Sequence, residues 1–203
     1  MPIDLDLWPF TGRTVHLCID MQNMFAPGGP WATPWLPRVL PVVEEIAGRF
    51  PDRTVFTRFI TPERPEDMPG AWQRYYTKWR EATRQYIDPE LLQLLPSLRR
   101  FAPPAAIINK SRYSAFAEPA LLQHLQERGC DSLIVTGSET DVCVLATVMG
   151  AVDLGYPVVL VHDAVCSSSD AGHDCMLALY RGRYSQQIAT ASAEEILNRW
   201  KRA

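Results

Sequence analysis

Short runs of hydrophobic residues alternate with longer amphipathic segments from one end of the chain to the other. The runs have strand length and are rich in β-branched residues, which is typical of strands buried on both faces. They predict strands at residues 15–20, 54–59, 105–109, 132–136, 158–162 and 187–190. The amphipathic segments predict helices near residues 36–49, 119–128, 142–154, 171–183 and 193–202. Strand and helix in alternation predict a mostly parallel sheet covered by helices on both faces, a three-layer α/β/α sandwich.

The length of the chain favours one domain. Its 203 residues suit one sizeable domain better than two small ones, and no internal repeat or low-complexity linker divides them. We therefore predict a single domain over residues 1–203. The formal charge of −3 provides no basic field that would hold a nucleic acid, so we expect a small-molecule substrate and no nucleic-acid partner.

Two features of the sequence indicate where in the cell the protein is expected. The longest apolar runs have strand length, so we expect no membrane-spanning segment and no membrane partner. Residues 1–10 are acidic and interrupted by prolines, unlike the basic and apolar start of a signal peptide. These features predict a cytoplasmic protein.

The cysteine pattern argues against a disulfide framework. The five cysteines are an odd number without a CxxC pair, which also disfavours a zinc site made of thiolates. Most of them are expected to be small buried side chains, and the surroundings of each decide whether one is a nucleophile. The cysteines are Cys18, Cys130, Cys143, Cys166 and Cys175.

Three chemically useful side chains stand at equivalent places, just past the ends of three predicted strands. Asp20 closes the first strand, Lys110 follows the third, and Cys143 begins the helix after the fourth. The carboxyl ends of parallel strands meet at one edge of a sheet, so these residues are expected to converge. Taken singly, each has an ordinary interpretation: a turn residue, a solvated lysine or a packed cysteine.

The three residue types suit nucleophilic catalysis. A thiol attacks as thiolate, and both a helix N-terminus and the ammonium of Lys110 are expected to lower the pKa of Cys143. Asp20 is suited to take the thiol proton and deliver it later to a leaving amine. Backbone N–H groups in the turn before the helix are candidates for binding an oxyanion.

Around these residues the sequence resembles the isochorismatase-like cysteine hydrolases, which include nicotinamidases, N-carbamoyl-amine amidohydrolases, biuret hydrolases and ureidoacrylate amidohydrolases. The matching segments are IDMQNMF at 19–25, KSRYSAF at 110–116, GSETDVCV at 137–144 and, more weakly, HDAVCSS at 162–168. The resemblance implies an Asp20–Lys110–Cys143 triad. We expect a six-stranded Rossmann-like sheet and no cofactor. The resemblance also implies a cis peptide at Ser138–Glu139 and an oxyanion hole formed by the N–H groups of Glu139 and Cys143. A cysteine at position 143 favours the amide-cleaving members of the family.

The sequence departs from the nicotinamidase pattern at the metal site. Nicotinamidases bind zinc through an Asp-x-His element after the second strand, where this chain has Phe59 and Thr61. Its four histidines are scattered and form no Asp-x-His or His-x-His pair. We therefore expect no catalytic metal, and we expect His173 to be a polar surface group or a neighbour of the site rather than a ligand.

Residues that flank the strand ends are candidates for binding the substrate: Gln22, Phe25, Arg58 and Phe116. Arg58 offers a planar fork to a substrate carboxylate, or pairs with Glu63 or Asp20. Trp72, Tyr75, Tyr76 and Trp79 fall on one helical face, and this stripe either forms a wall of the site or packs against the core or another subunit. Together with other tryptophans it predicts a homo-oligomer, a dimer or a tetramer.

The leading functional hypothesis is therefore a cysteine hydrolase acting on a small non-peptide amide or another C–N bond. Three alternatives stay open: an isochorismatase-type hydrolase of a non-amide bond such as a vinyl ether, a thiol redox protein with Cys166 as the resolving cysteine, and a catalytically silent binding module.

Overall fold

The computed structural model describes residue 8 and residues 10–201, and these residues contain one six-stranded sheet. Its strands are β1 (Thr14–Ile19), β2 (Thr54–Phe59), β3 (Ala106–Lys110), β4 (Ser132–Ser138), β5 (Val158–Cys166) and β6 (Ile188–Ala191). Every neighbouring pair is parallel, and the order across the sheet is β3-β2-β1-β4-β5-β6. The predicted Rossmann-like α/β/α architecture is confirmed, with a sheet that is wholly rather than mostly parallel.

The helices follow the predicted amphipathic segments, with two additions. They are α1 (Leu36–Arg49), α2 (Ala71–Lys78), α3 (Pro96–Arg99), α4 (Pro119–Glu127), α5 (Leu145–Asp153), α6 (Asp170–Arg181) and α7 (Ala193–Arg199). The predicted helix at 142–154 begins instead with a π-helical turn, Thr140–Val144, which carries Cys143 and leads into α5. The last helix ends at Arg199, and position 202 of the prediction lies outside the described residues.

Alternate strand side chains build two separate cores. On one face Cys18, Phe56 and Ile134 pack with residues of α1, α3 and α7. On the other face Leu17 and Leu133 pack with residues of α4, α5 and α6. Burying a large aliphatic or aromatic side chain contributes about 1.5–3 kcal/mol, so both faces anchor the sheet.

The order of the strands creates a crevice between β1 and β4. From β1 the chain continues to β2 and β3 on one side, whereas β4 leads to β5 and β6 on the other. In open α/β sheets, such a reversal leaves a crevice at the carboxyl ends of the strands. A third, smaller cluster of Phe59, Met68 and Tyr76 with surrounding aromatic residues covers the end of β2. No helix in the described part of the chain is long and apolar enough to cross a membrane.

Candidate active site

The structure brings Asp20, Lys110 and Cys143 into direct contact at the crevice. The Nζ atom of Lys110 lies 2.6 Å from Oδ2 of Asp20 and 3.3 Å from Sγ of Cys143. The carboxylate of Asp20 is also close enough to the Cys143 thiol to raise its pKa. All three residues are buried, so their interactions are little screened by water.

The Asp20 carboxylate is held in place by a neighbouring strand. Asp20 follows β1 with a φ of 48°, which turns the chain out of the strand. The hydroxyl of Thr57 on β2 donates to Oδ1 of Asp20 at 2.6 Å and accepts from its backbone N–H at 3.1 Å. Thr57 was not predicted from the sequence, where it looked like an ordinary strand residue. Its position on the strand beside β1, opposite a terminal aspartate, is the signal that could have identified it.

Lys110 keeps its charge although its side chain has no exposed surface. Burial opposes the charged form, but Asp20 and Cys143 outweigh that effect and raise the pKa of Lys110. Its ammonium also donates to the carbonyl of Arg112 at 3.0 Å and lies 4.8 Å from the ring centre of Phe59. These contacts fix the ammonium between the carboxylate and the thiol.

The prediction that Cys143 has a lowered pKa is wrong for the resting structure. Burial raises the pKa of this thiol most, the carboxylate of Asp20 raises it further, and the opposing effect of Lys110 is smaller. The sequence showed that an ammonium was available but not that the thiol would be buried beside a carboxylate. At rest the thiol therefore retains its proton.

The turn between β4 and Cys143 has an unusual backbone. The Ser138–Glu139 peptide is cis, as the resemblance implied. The carbonyl of Glu139 accepts from the N–H groups of Val142 and Val144 at 3.1 and 3.0 Å, which starts the π-helical turn. Within this turn, the hydroxyl of Thr140 lies 2.9 Å from Nδ1 of His173, so His173 is a buried neighbour of the site.

A cavity of about 420 Å³ opens above Cys143. Half of its lining residues are aromatic, and the others belong to the loop after β1, the Cys143 turn and the loop after β5. The lining residues are Phe25, Pro30, Trp31, Ala32, Phe59, Tyr75, Trp79, Tyr113, Glu139, Val142, Cys143 and Ser168. Its size is that of a site for a small molecule.

The order of these parts along the chain is that of a known domain. The isochorismatase domain matches residues 14–192, which span all six described strands. The chain belongs to the isochorismatase family.

Relatives within this family include a protein named as a nicotinamidase. Nicotinamidase 3 of Arabidopsis thaliana is 29% identical over 163 residues, which cover 79% of this chain and 77% of the relative. PncA of Bacillus subtilis, an isochorismatase family protein, is 34% identical over 99 residues, covering 48% of this chain and 54% of PncA. The chain thus spans about half the length of the first curated relatives it matches.

A solved structure shows the same fold. The cysteine hydrolase from Pseudomonas syringae pv. phaseolicola 1448A superposes with a TM-score of 0.79 at 22% identity and covers 95% of each chain. This likeness establishes the shared isochorismatase fold and leaves the substrate open.

Only one of the four predicted substrate-binding residues faces the cavity. Phe25 lines it, whereas Gln22, Arg58 and Phe116 do not belong to its wall. Gln22 is wholly buried and acts as a brace: its Oε1 accepts from the N–H of Phe59 at 2.7 Å, and its Nε2 donates to the carbonyls of Phe59 and Leu92.

Arg58 and Phe116 have structural partners instead. Arg58 donates to the side-chain oxygens of Asn109 and Gln93, and not to Glu63 or Asp20 as its alternative interpretation suggested. Phe116 packs against the core formed by residues of α4 and α5, with its ring 6.3 Å from that of Tyr156. Arg58 points away from the cavity because its strand neighbour Phe59 lines it, and successive strand side chains face opposite sides of the sheet.

The aromatic stripe is divided between the cavity and the small cluster. Tyr75 and Trp79 line the cavity, and Tyr76 is fully buried. Trp72 packs on Tyr113, with ring centres 4.7 Å apart. Tyr75 and Trp79 therefore form part of the wall of the site, which is one of the two predicted alternatives. Tyr76 and Trp72 pack within the chain, which is the other.

The positions of the nicotinamidase zinc ligands carry no ligand side chains here. Phe59 presents a ring to the cavity, and Thr61 is a buried hydroxyl. Among residue 8 and residues 10–201, no three His, Cys, Asp or Glu side chains are grouped to hold a metal ion. The donor set does not fit zinc.

Proposed function

We propose that this chain is a cysteine hydrolase that cleaves a small non-peptide amide or a related C–N bond. The observation that carries the proposal is the buried contact of carboxylate, ammonium and thiol at the floor of an aromatic cavity. The names of its relatives, nicotinamidase and ureidoacrylate amidohydrolase, support the same class of reaction.

In the first half of the proposed reaction, Sγ of Cys143 attacks the amide carbonyl carbon while its proton passes to the carboxylate of Asp20. The C–N bond then breaks, and Asp20 returns the proton to the leaving amine or ammonia. Lys110 does not move a proton in this scheme. Its ammonium positions Asp20 and stabilises negative charge as it develops on sulfur.

The carbonyl oxygen becomes an oxyanion during the attack, and we assign its binding to the N–H groups of Glu139 and Cys143. The N–H of Glu139 belongs to the cis peptide itself, Cys143 lies in the π-helical turn that follows, and both residues line the cavity. Donors fixed before the reaction stabilise such charge without reorganisation.

The second half releases the acid. Water attacks the thioester carbon, Asp20 takes the proton of this water, and the thiolate of Cys143 leaves and regains that proton. The products are a carboxylic acid and the amine or ammonia, and no step is assigned to a metal.

The structure favours this chemistry over thiol redox exchange. Cys166, the candidate resolving cysteine, is fully buried on β5, and burial is the main reason that its pKa is raised to about 12. Cys143 instead has a proton acceptor and a cation as its immediate neighbours.

A screen of small amides, ureas and carbamoyl compounds for ammonia or amine release tests the proposal. We expect turnover by the wild type and by Cys175→Ala, which changes an exposed cysteine, but none by Cys143→Ala. Equal turnover by Cys143→Ala and the wild type would refute the proposal.

A further inference from the structure

We propose that the cavity selects amides whose non-reacting end carries a positively charged amine, with a quaternary ammonium as the best fit. The inference rests on the proposed function in one respect: Cys143 marks the reacting end of the substrate. The inference is based on an aromatic cavity wall that has the carboxylate of Glu139 beside it.

Trp31 packs against four of the other aromatic residues that line the cavity. Its ring centre lies 6.0 Å from those of Tyr75 and Trp79, 6.1 Å from that of Phe25 and 5.9 Å from that of Phe59. The faces of aromatic rings are electron-rich and attract cations, and several rings around one space are the usual way to bind an alkylated ammonium.

Glu139 provides the only carboxylate among the described lining residues. Its Oε1 accepts from the N–H of Ser168 at 2.9 Å, which fixes the side chain at the rim. Burial is the main reason that the pKa values of Tyr75 and Tyr113 are raised, and the charge of Glu139 adds to the effect in both. This carboxylate is therefore within electrostatic range of the aromatic wall.

The cavity has no matching feature for an anion. Among the described residues that line it, none is a lysine or an arginine. Lys110 contacts the lining residue Cys143 but is paired with Asp20, and Arg58 is bound to Asn109 and Gln93. A substrate with a free carboxylate at its far end would face Glu139 without a partner, which disfavours it.

Two compounds of nearly the same shape isolate the charge: 2-(trimethylammonio)acetamide and its neutral analogue 3,3-dimethylbutanamide. Binding of each to Cys143→Ala is measured by calorimetry, with Cys143→Ser as a second inactive variant. We expect the cationic amide to bind about tenfold more tightly than the neutral one.

A second substitution identifies the carboxylate. Adding Glu139→Gln to the inactive variant keeps the Oε1 that accepts from Ser168 and removes the charge, so the affinity ratio of the two amides should fall by several fold. Glu66→Gln removes an exposed charge outside the cavity lining and should leave the ratio unchanged. Equal affinities for the two amides, no binding of either, or an unchanged ratio in Glu139→Gln would overturn the inference.

Turnover by the wild-type protein separates this inference from the proposed function. Tighter binding of the cationic amide without cleavage of any amide would uphold the inference and count against the hydrolase. Cleavage of neutral amides without a preference for the cationic one would support the hydrolase and count against the inference.

Discussion

Lys110 is the residue on which the chemistry of the site depends. Burying an ammonium costs several kcal/mol, and the cost is offset here by Asp20 at 2.6 Å, the Cys143 sulfur at 3.3 Å and the Arg112 carbonyl. The same contacts make the resting site close to neutral. A thiol next to a paired carboxylate is protonated at rest and becomes nucleophilic as its proton leaves for Asp20.

Alkylation of Cys143 as a function of pH tests this arrangement. Because burial and Asp20 raise the pKa of the thiol, reaction of the wild type with iodoacetamide should be slow at neutral pH and increase in alkaline solution. Lys110 lowers that pKa, so Lys110→Met should shift the midpoint to still higher pH. Peptide mass spectrometry measures the labelling, with exposed Cys175 as an internal control. A profile unchanged by Lys110→Met would mean that Lys110 is not beside the thiol.

The sequence predicted which residues at the strand ends meet. It did not predict the direction of the side chains next to those strand ends. Asp20, Lys110 and Cys143 could be predicted to converge because the carboxyl ends of parallel strands share an edge. The direction of a side chain one or two positions away could not, as Gln22 and Arg58 show. The cavity wall comes largely from loops, so Trp31 and Tyr113 carried no periodic signal.

Among the elements, β1 and β4 determine how the two halves of the site meet. Gly137 on β4 has a φ of +114°, and a Cβ there would lie 2.1 Å from the carbonyl oxygen of Ile19, next to Asp20. The glycine therefore lets the strand of the cysteine approach the strand of the aspartate. The extension of β5 to Cys166, which pairs with Ser138, supports the same turn. Sequence predicted this strand only to residue 162, because Asp163 interrupts its apolar run.

Gly137→Ala should separate the two strand ends. We expect it to destabilise the protein by about 3 kcal/mol or more, since backbone atoms must move, and to lower turnover by displacing Asp20 from Cys143. The matched control is Gly155→Ala, where φ is +82° but no atom lies within 4 Å of the new Cβ. That change should cost about 1 kcal/mol and leave activity unchanged. Urea unfolding and turnover measure both variants, and equal effects would contradict the close-approach explanation.

At the scale of the whole molecule, the sheet buries a titratable group that takes no part in the site. His16 on β1 is fully buried between the hydroxyls of Thr54 and Thr136, at 3.1 and 2.8 Å. Burial lowers its pKa from 6.5 to about 3. The folded state therefore keeps His16 neutral at a pH where the unfolded chain already binds a proton.

The sign of the resulting pH dependence follows from this difference. Above the unfolded pKa both states are neutral, and as pH falls from 6.5 towards 3 the unfolded state gains a proton that the folded state does not. Between pH 7 and 5 this group alone should reduce the free energy of unfolding by about 2 kcal/mol. His16→Gln should lose stability less steeply with acid than the wild type in urea titrations. Parallel pH slopes in the two proteins would show that His16 is not the group responsible.

The predicted dimer or tetramer stays a proposal, but the aromatic stripe no longer provides the main reason for it. The aromatic stripe that suggested an interface packs within the chain, partly around the cavity. The exposed Tyr86, Leu154 and Leu179 are further candidates for an interface.

Detection of an acyl-enzyme tests the central claim most directly. Wild-type protein is mixed with the best amide from the screen, quenched in acid within milliseconds, and analysed by intact-protein and peptide mass spectrometry. We predict a mass increase equal to the acyl group on Cys143, which forms as the amine is released and decays to the free thiol. Release of the amine in the first turnover without an adduct on Cys143, or an adduct on another residue, would contradict the account.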